Sequence, residues 1–187
     1  VNWISREIEY RGSNGNERTS DVLVAEGDYC TFYDTKEMVP NLKVRELNRN
    51  ELEKDIEIYA TAISKVYHQI QNYLSGMYEL NMQYDLPHFF GVVVMLDDIA
   101  LSRSKIYSKA FEVYSEKYGS LSDDEEKYIH SHIKIISLRQ IETLLLENSS
   151  FLPCLIDQAA DENHWDDLWY SRSTEGNGLL PIYEDYV

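Results

Sequence analysis

The chain has 187 residues, of which 43% are hydrophobic and 27% are charged. This composition is close to the globular average, and the length suits one domain with an apolar core of ordinary size. Acidic residues number 33 and basic residues 17, which gives a formal net charge of -16. Because this charge repels nucleic-acid phosphates, the sequence predicts no direct nucleic-acid binding and favours a basic partner.

The cysteines and the chain start bear on cellular location. Cys30 and Cys154 lie far apart and match no metal-ligand spacing, so we expect reduced thiols rather than a disulfide or a metal site. Residues 1–6 lack the basic start and apolar run of a signal peptide. The longest apolar run, at 92–96, is much shorter than the roughly 20 residues that a membrane span needs. The sequence therefore predicts a cytoplasmic protein that does not cross a membrane.

The N-terminal segment 1–48 has a β-rich pattern. Half-buried strands are expected at 3–10 and 21–33, because Val22, Val24 and the residues after Tyr29 alternate in polarity. The Asn14-Gly15 pair between them suits a tight turn with positive φ. We therefore predict a small N-terminal β-hairpin or sheet.

A long amphipathic helix is predicted at 51–77. Asn50 is a candidate N-cap, and Glu53 stands where a capping-box side chain reaches back. The apolar positions step by four and three residues without interruption, as in a seam that packs against a neighbouring helix. These positions are Leu52, Ile56, Tyr59, Ile63, Val66, Ile70, Tyr73 and Met77.

Two further long helices and a shorter one are predicted downstream. Pro87 indicates the start of a second helix that extends to about Tyr118. Ser122 and Glu125 form a candidate capping box for a third helix, which extends to about Glu147. A short fourth helix is expected after Pro153.

The predicted fold class is mainly α, within α+β. It consists of an antiparallel bundle of three long helices plus a shorter fourth, with the small N-terminal hairpin or sheet packed on it. We expect a single domain, 1–187, in which the β-rich segment 1–48 precedes the bundle at 49–170. An acidic C-terminal tail follows at 171–187.

One candidate metal or catalytic group lies on the fourth helix. Asp157, Asp161 and His164 are spaced so that two carboxylates and an imidazole share one side of a helix, where they could bind a divalent cation. A solvated acidic face is the alternative explanation, and the prediction is that no metal or cofactor is bound.

Asp97 and Asp98 are the other candidate catalytic carboxylates. They interrupt the most apolar stretch of the chain, where an unpaired charge would be costly. The structural alternative is a carboxylate at a helix edge that pairs with Arg103 or Arg139.

The most concentrated charge lies at 151–187, which holds eight acidic residues and one arginine, a net charge of -7. Tryptophans and tyrosines are interleaved with these acids, and such side chains anchor protein interfaces while carboxylates steer a basic partner. The alternative is that the tryptophans close the helical bundle and the acidic residues keep the protein soluble. The predicted partner-binding residues are Asp157, Asp161, Glu162, Trp165, Asp166, Asp167, Trp169, Tyr170, Tyr183 and Tyr186.

No phosphate-binding loop, dinucleotide fingerprint, nucleophile elbow or zinc-protease helix occurs in the sequence. The leading hypothesis is therefore an acidic binding protein that neutralises a basic partner. Such a protein would be an immunity or antitoxin-type inhibitor of a nuclease, or a nucleic-acid mimic that blocks a DNA-binding enzyme. The alternatives are a metal-assisted hydrolase with a bundle-core site of Asp97 or Asp98 with Asp157, Asp161 and His164, and a helical subunit of a larger assembly.

Overall fold

The computed structural model describes residues 2–12, 15–37, 49–80, 87–96, 103–147 and 150–160. The strands in these ranges are β1 (Trp3–Arg6), β2 (Glu9–Gly12), β3 (Gly15–Arg18), β4 (Val22–Glu26), β5 (Tyr29–Lys36), β6 (His88–Met95) and β7 (Ile133–Ser137). The helices are α1 (Arg49–Leu74), α2 (Arg103–Lys117), α3 (Asp123–His132), α4 (Leu138–Glu147) and α5 (Leu152–Ala160).

Five strands form one mixed sheet in the order β1-β4-β5-β6-β7, and β2 pairs with β3 in a separate hairpin. β4 is antiparallel to both of its neighbours, whereas β5, β6 and β7 are parallel to one another. Parallel neighbours need crossover connections. Here α1 lies between β5 and β6 in the chain, and α2 and α3 lie between β6 and β7.

The sheet carries helices on both faces. α1 packs across β5, β6 and β7, and α2 lies against α1. Gly91 of β6 allows this close approach, because a Cβ there would overlap the Val66 side chain. On the opposite face, Phe90 and Val92 pack with Leu144 of α4 and Leu155 of α5.

The predicted helical bundle is wrong, and the first error is the helix predicted at Pro87–Tyr118. The first part of this segment is strand β6. Among the described residues between Pro87 and Tyr118, only Arg103–Lys117 form a helix. Phe89, Val92 and Val93 fit a helical stripe by spacing. However, β6 is almost continuously apolar and rich in valine, as is typical of a parallel strand that is buried on both faces.

The second error is the single third helix predicted up to Glu147. The chain forms α3, then β7, then α4. Ile129, Ile133 and Ile136 continue a helical spacing, but Ile133–Ser137 is buried at every position as the edge strand of the sheet. Tertiary burial between two helical layers thus overrides the local helical pattern.

Two local predictions are confirmed. The long helix is present as Arg49–Leu74, and Ser122 caps α3 in a capping box with Glu125. Asn50, however, lies inside α1 rather than at its cap. The middle of the predicted seam, Tyr59 to Ile70, is fully buried within this chain, so pairing between subunits through this seam would require exposing these residues.

No helix in the described ranges combines the length and the apolarity needed to cross a bilayer.

Candidate functional site

The carboxyl ends of the three parallel strands lie at one edge of the sheet. Lys36 of β5 aligns with Met95 of β6, and Met95 aligns with Ser137 of β7. In open sheets with parallel strands, ligands bind in the crevice outside this edge. Charged side chains at the end of β5 are therefore candidates for function.

Asp34 lies two residues before the end of β5 and is only 1% exposed. Side chains two residues apart on a strand share a face, and Lys36 forms an ion pair with Oδ2 of Asp34. Lys65 reaches the same carboxylate from α1, with its Nζ 3.2 Å from Oδ1. Each carboxylate oxygen of Asp34 therefore contacts one ammonium group.

Asp21 brings a second carboxylate to the same strand end. It immediately precedes β4, whose first residue, Val22, pairs with Tyr33 of β5. Oδ2 of Asp21 accepts hydrogen bonds from the backbone N–H of Thr35, at 2.7 Å, and from the Thr35 hydroxyl, at 2.5 Å. Thr35 stands between Asp34 and Lys36, and because side chains alternate along a strand, its hydroxyl lies on the opposite face of β5 from their side chains.

We call Asp21, Asp34, Lys36 and Lys65 the carboxylate–lysine cluster. Its formal charge is zero, with two carboxylates and two ammonium groups. Lys36 is 25% exposed and Lys65 is 40% exposed, so the buried Asp34 is reached from solvent past these two side chains. Burying charges is costly even when they are paired, and an apolar cluster of similar volume is often at least as stable.

Carboxylate oxygens are ligands of the kind that hard divalent cations bind. Within the described ranges, no group of three or more histidine, cysteine, aspartate or glutamate side chains could hold a metal. Mg²⁺, however, is commonly bound through one or two carboxylates, with water and substrate phosphate completing its octahedral shell. Asp34 is the buried carboxylate of the cluster, and an ionised carboxylate can accept several bonds at once.

The opposite face of the sheet holds different titratable groups. Lys134 of β7 is fully buried and donates to the His130 carbonyl oxygen at 2.9 Å. Burial, with a contribution from Arg103, lowers the pKa of Lys134 to about 5. Burial and then the nearby Lys134 lower the pKa of His132 to about 4. Both groups are neutral at pH 7.

Among the residues predicted from sequence, Asp157 is described, and it is exposed on α5. α5 packs on the sheet face opposite α1 through Leu155, so Asp157 is not part of the carboxylate–lysine cluster. The other predicted site residues lie outside the described residues: Asp97, Asp98, Asp161, Glu162, His164, Trp165, Asp166, Asp167, Trp169, Tyr170, Tyr183 and Tyr186.

The sequence search missed the cluster because it looked for acidic residues at helical spacing. The sequence pattern that indicates the cluster is the two-residue spacing of Asp34 and Lys36, which places both side chains on one face of a strand. Asp21 stands at the same open end of the β4–β5 hairpin, whose two-residue turn, at the other end, contains Gly27 at a φ of 57°. The contact with Lys65 joins residues 31 positions apart, and no local pattern predicts it.

The comparisons with known proteins identified no relative. No family model matches the chain, and no curated protein and no solved structure matches it.

Proposed function

We propose that the protein is a metal-assisted hydrolase of phosphodiesters, with its site at the carboxylate–lysine cluster. The observation that carries this proposal is the buried Asp34 carboxylate, which lies at the carboxyl edge of the parallel strands and contacts two partly exposed lysines. Metal-assisted hydrolysis was the alternative function inferred from sequence, but the supporting residues differ.

The chemistry of the cluster matches what phosphodiester hydrolysis requires. A divalent ion held by Asp34 would lower the pKa of a bound water and neutralise charge on the phosphoryl oxygens. Water adds to phosphorus, one P–O ester bond breaks, and the products are a phosphate monoester and an alcohol. Lys36 lies where an ammonium group can stabilise the negative charge that develops on phosphorus-bound oxygens.

A phosphodiester fits the cluster better than a peptide does. Catalytic zinc sites for peptide hydrolysis use histidine ligands with an open coordination position, whereas this cluster offers carboxylate oxygens and ammonium groups. The lysines would have no anionic partner on a neutral peptide bond. The overall charge of -16 opposes a broad contact with nucleic acid, so the substrate contact would be confined to a few phosphates.

The test measures Mn²⁺ binding by titration calorimetry and cleavage of labelled single- and double-stranded oligonucleotides. We expect the wild type to bind Mn²⁺ and to cleave only with the metal. Asp34→Asn removes a metal ligand and should lower the cleavage rate by roughly a thousandfold.

Asp28→Asn is the matched control, because Asp28 is exposed in the turn at the other end of the same hairpin. This variant should behave as the wild type does. A wild-type protein that neither binds Mn²⁺ nor cleaves, or an Asp34→Asn variant with unchanged cleavage, overturns the proposal.

A second candidate is the acidic binding protein, which is supported by the charge of -7 in residues 151–187. It would neutralise a basic protein such as a nuclease or a DNA-binding enzyme. Amide substitution at Asp161, Glu162, Asp166 and Asp167 would then slow association with a basic protein captured at low salt. A cytoplasmic location is also part of the proposal, and the two buried free thiols, Cys30 and Cys154, support it.

A further inference from the structure

The buried row of α1 that faces the sheet changes character near its N-terminal end. Tyr59, Ile63, Val66 and Ile70 follow one another at spacings of four and three residues, and all four are fully buried. One turn before Tyr59, the same row holds Asp55, which is only 6% exposed. A carboxylate therefore occupies a buried position at the end of an apolar and aromatic row.

Asp55 and Tyr59 lie at the carboxyl edge of the parallel strands. Because α1 connects the carboxyl end of β5 to the amino end of β6, it runs back along the sheet, and Val66 packs over Gly91. Helix rise places Tyr59 about 10 Å and Asp55 about 16 Å beyond Val66, toward the carboxyl ends of the strands. β6 itself ends at Met95, about 13 Å beyond Gly91. Asp55 thus lies just past the strand ends, where ligands bind in open sheets.

Both side chains end in a buried polar atom that has no hydrogen-bond partner in the part of the chain that the structure describes. These atoms are Oδ2 of Asp55 and the hydroxyl oxygen of Tyr59. The two side chains are one turn apart on the same row, and burial together with the Asp55 charge raises the pKa of Tyr59. Unpaired buried polar atoms are costly and rare, so two adjacent ones point to a bound group that pairs with them.

The charges around this pair favour a cation. Glu51 lies one turn before Asp55, and burial followed by the Glu51 charge raises the pKa of Asp55. Glu51 is 22% exposed and pairs with Lys54, whereas Asp55 has no basic partner among the described residues. Exposure falls from Glu51 to Asp55 to Tyr59, so a carboxylate lies on the solvent side of the pair.

An ammonium group fits these two atoms better than a guanidinium group does. The planar fork of a guanidinium matches both oxygens of one carboxylate. Here the unpaired acceptors are one oxygen of Asp55 and the separate hydroxyl oxygen of Tyr59. An ammonium group is a compact charge with three donors that can point in different directions.

We propose that Asp55 and Tyr59 form a binding site for a primary organic ammonium group at the carboxyl edge of the sheet. Oδ2 of Asp55 accepts a charge-assisted hydrogen bond from the ammonium group, and the Tyr59 hydroxyl oxygen accepts a second. The bound charge compensates the buried carboxylate. The site is about 15 Å along α1 from Lys65, so it is separate from the carboxylate–lysine cluster and does not depend on the proposed metal-assisted function.

An NMR titration of the full chain with n-butylammonium at pH 8 tests the site, because this pH favours the ionised carboxylate. We expect saturable shifts of the α1 amides around Asp55 and Tyr59, with a Kd that is roughly millimolar or tighter. The neutral alcohol n-butanol, and KCl at the same ionic strength, should not cause these shifts. If either of them reproduces the shifts, or if n-butylammonium causes none, the ammonium site is overturned.

Two substitutions test the contacts. Asp55→Asn removes the charge and should weaken n-butylammonium binding at least about tenfold, and Tyr59→Phe removes one acceptor and should weaken it about fivefold. Glu57→Gln is the matched control, because Glu57 is an exposed carboxylate on the same helix, and it should bind as the wild type does. An Asp55→Asn variant with the affinity of Glu57→Gln contradicts the proposal.

Thermal unfolding without ligand is a second test. Because the Tyr59 hydroxyl has no partner among the described residues, Tyr59→Phe should keep or raise Tm. Tyr67→Phe is the comparison, because the Tyr67 hydroxyl donates to Glu125 at 3.0 Å, and its removal should lower Tm by roughly 2–4 °C. If Tyr59→Phe lowers Tm as much as Tyr67→Phe does, the Tyr59 hydroxyl is bonded within the protein and the proposed site is wrong.

Discussion

Two buried charged residues on this sheet differ in their surroundings. Asp34 of β5 is 1% exposed and contacts two ammonium groups, one of them 40% exposed. Lys134 of β7 is 0% exposed, and burial lowers its pKa to about 5. Asp34 is kept paired beside solvent at the carboxyl edge of the parallel strands, whereas Lys134 is kept neutral inside a packed face. The comparison supports the proposed role of Asp34 and a structural role for Lys134.

Lys36→Met should have the largest effect in testing this comparison. Removing a positive charge that is positioned beside the reacting phosphoryl group lowers kcat by about a hundredfold to a thousandfold. Mn²⁺ binding should persist, because the Asp34 carboxylate remains. Cleavage at saturating Mn²⁺ measures the loss, and a kcat within threefold of the wild type, a difference of about 0.6 kcal/mol in barrier height, would contradict a catalytic role for Lys36.

Lys134→Met should change stability without changing activity. Because the folded pKa of Lys134 is about 5 and its ordinary value is 10.5, the unfolded chain carries a proton that the folded chain lacks throughout this interval. Stability should therefore rise with pH, by about 1.4 kcal/mol per pH unit for one proton. The pH interval from 7 to 8 suits this measurement, because His132, with a folded pKa of about 4 and an ordinary value of 6.5, is then mostly neutral in both states.

Urea unfolding of the wild type and of Lys134→Met at pH 7 and pH 8 measures this slope. The variant should show the smaller rise in free energy of unfolding and should retain Mn²⁺-dependent cleavage. Equal slopes would show that Lys134 keeps its proton in the folded chain, and the contrast with Asp34 would then fail.

Asp157→Asn should have the smallest effect. Asp157 is exposed on α5, which packs on the face opposite α1, so it should affect neither Mn²⁺ affinity nor cleavage. Calorimetry and the cleavage assay are sufficient to check this. A loss of cleavage as large as that of Asp34→Asn would indicate that the catalytic site is the acidic group predicted from sequence.

Local chemistry alone determined several parts of this protein. The seam from Tyr59 to Ile70 specifies α1, because apolar residues at helical spacing bury one stripe. Ser122 and Glu125 specify the start of α3 through reciprocal hydrogen bonds within four residues. Such features involve neighbours in the chain, so the sequence displays them directly.

Only the tertiary structure decided the rest. β6 and β7 are strands because helices cover both of their faces, and a strand buried on both sides loses the alternation that would reveal it. The carboxylate–lysine cluster needs β4 to bring Asp21 to Thr35 and α1 to bring Lys65 to Asp34. These contacts join residues that are distant in the chain, and the crossover between β5 and β6 sets their geometry.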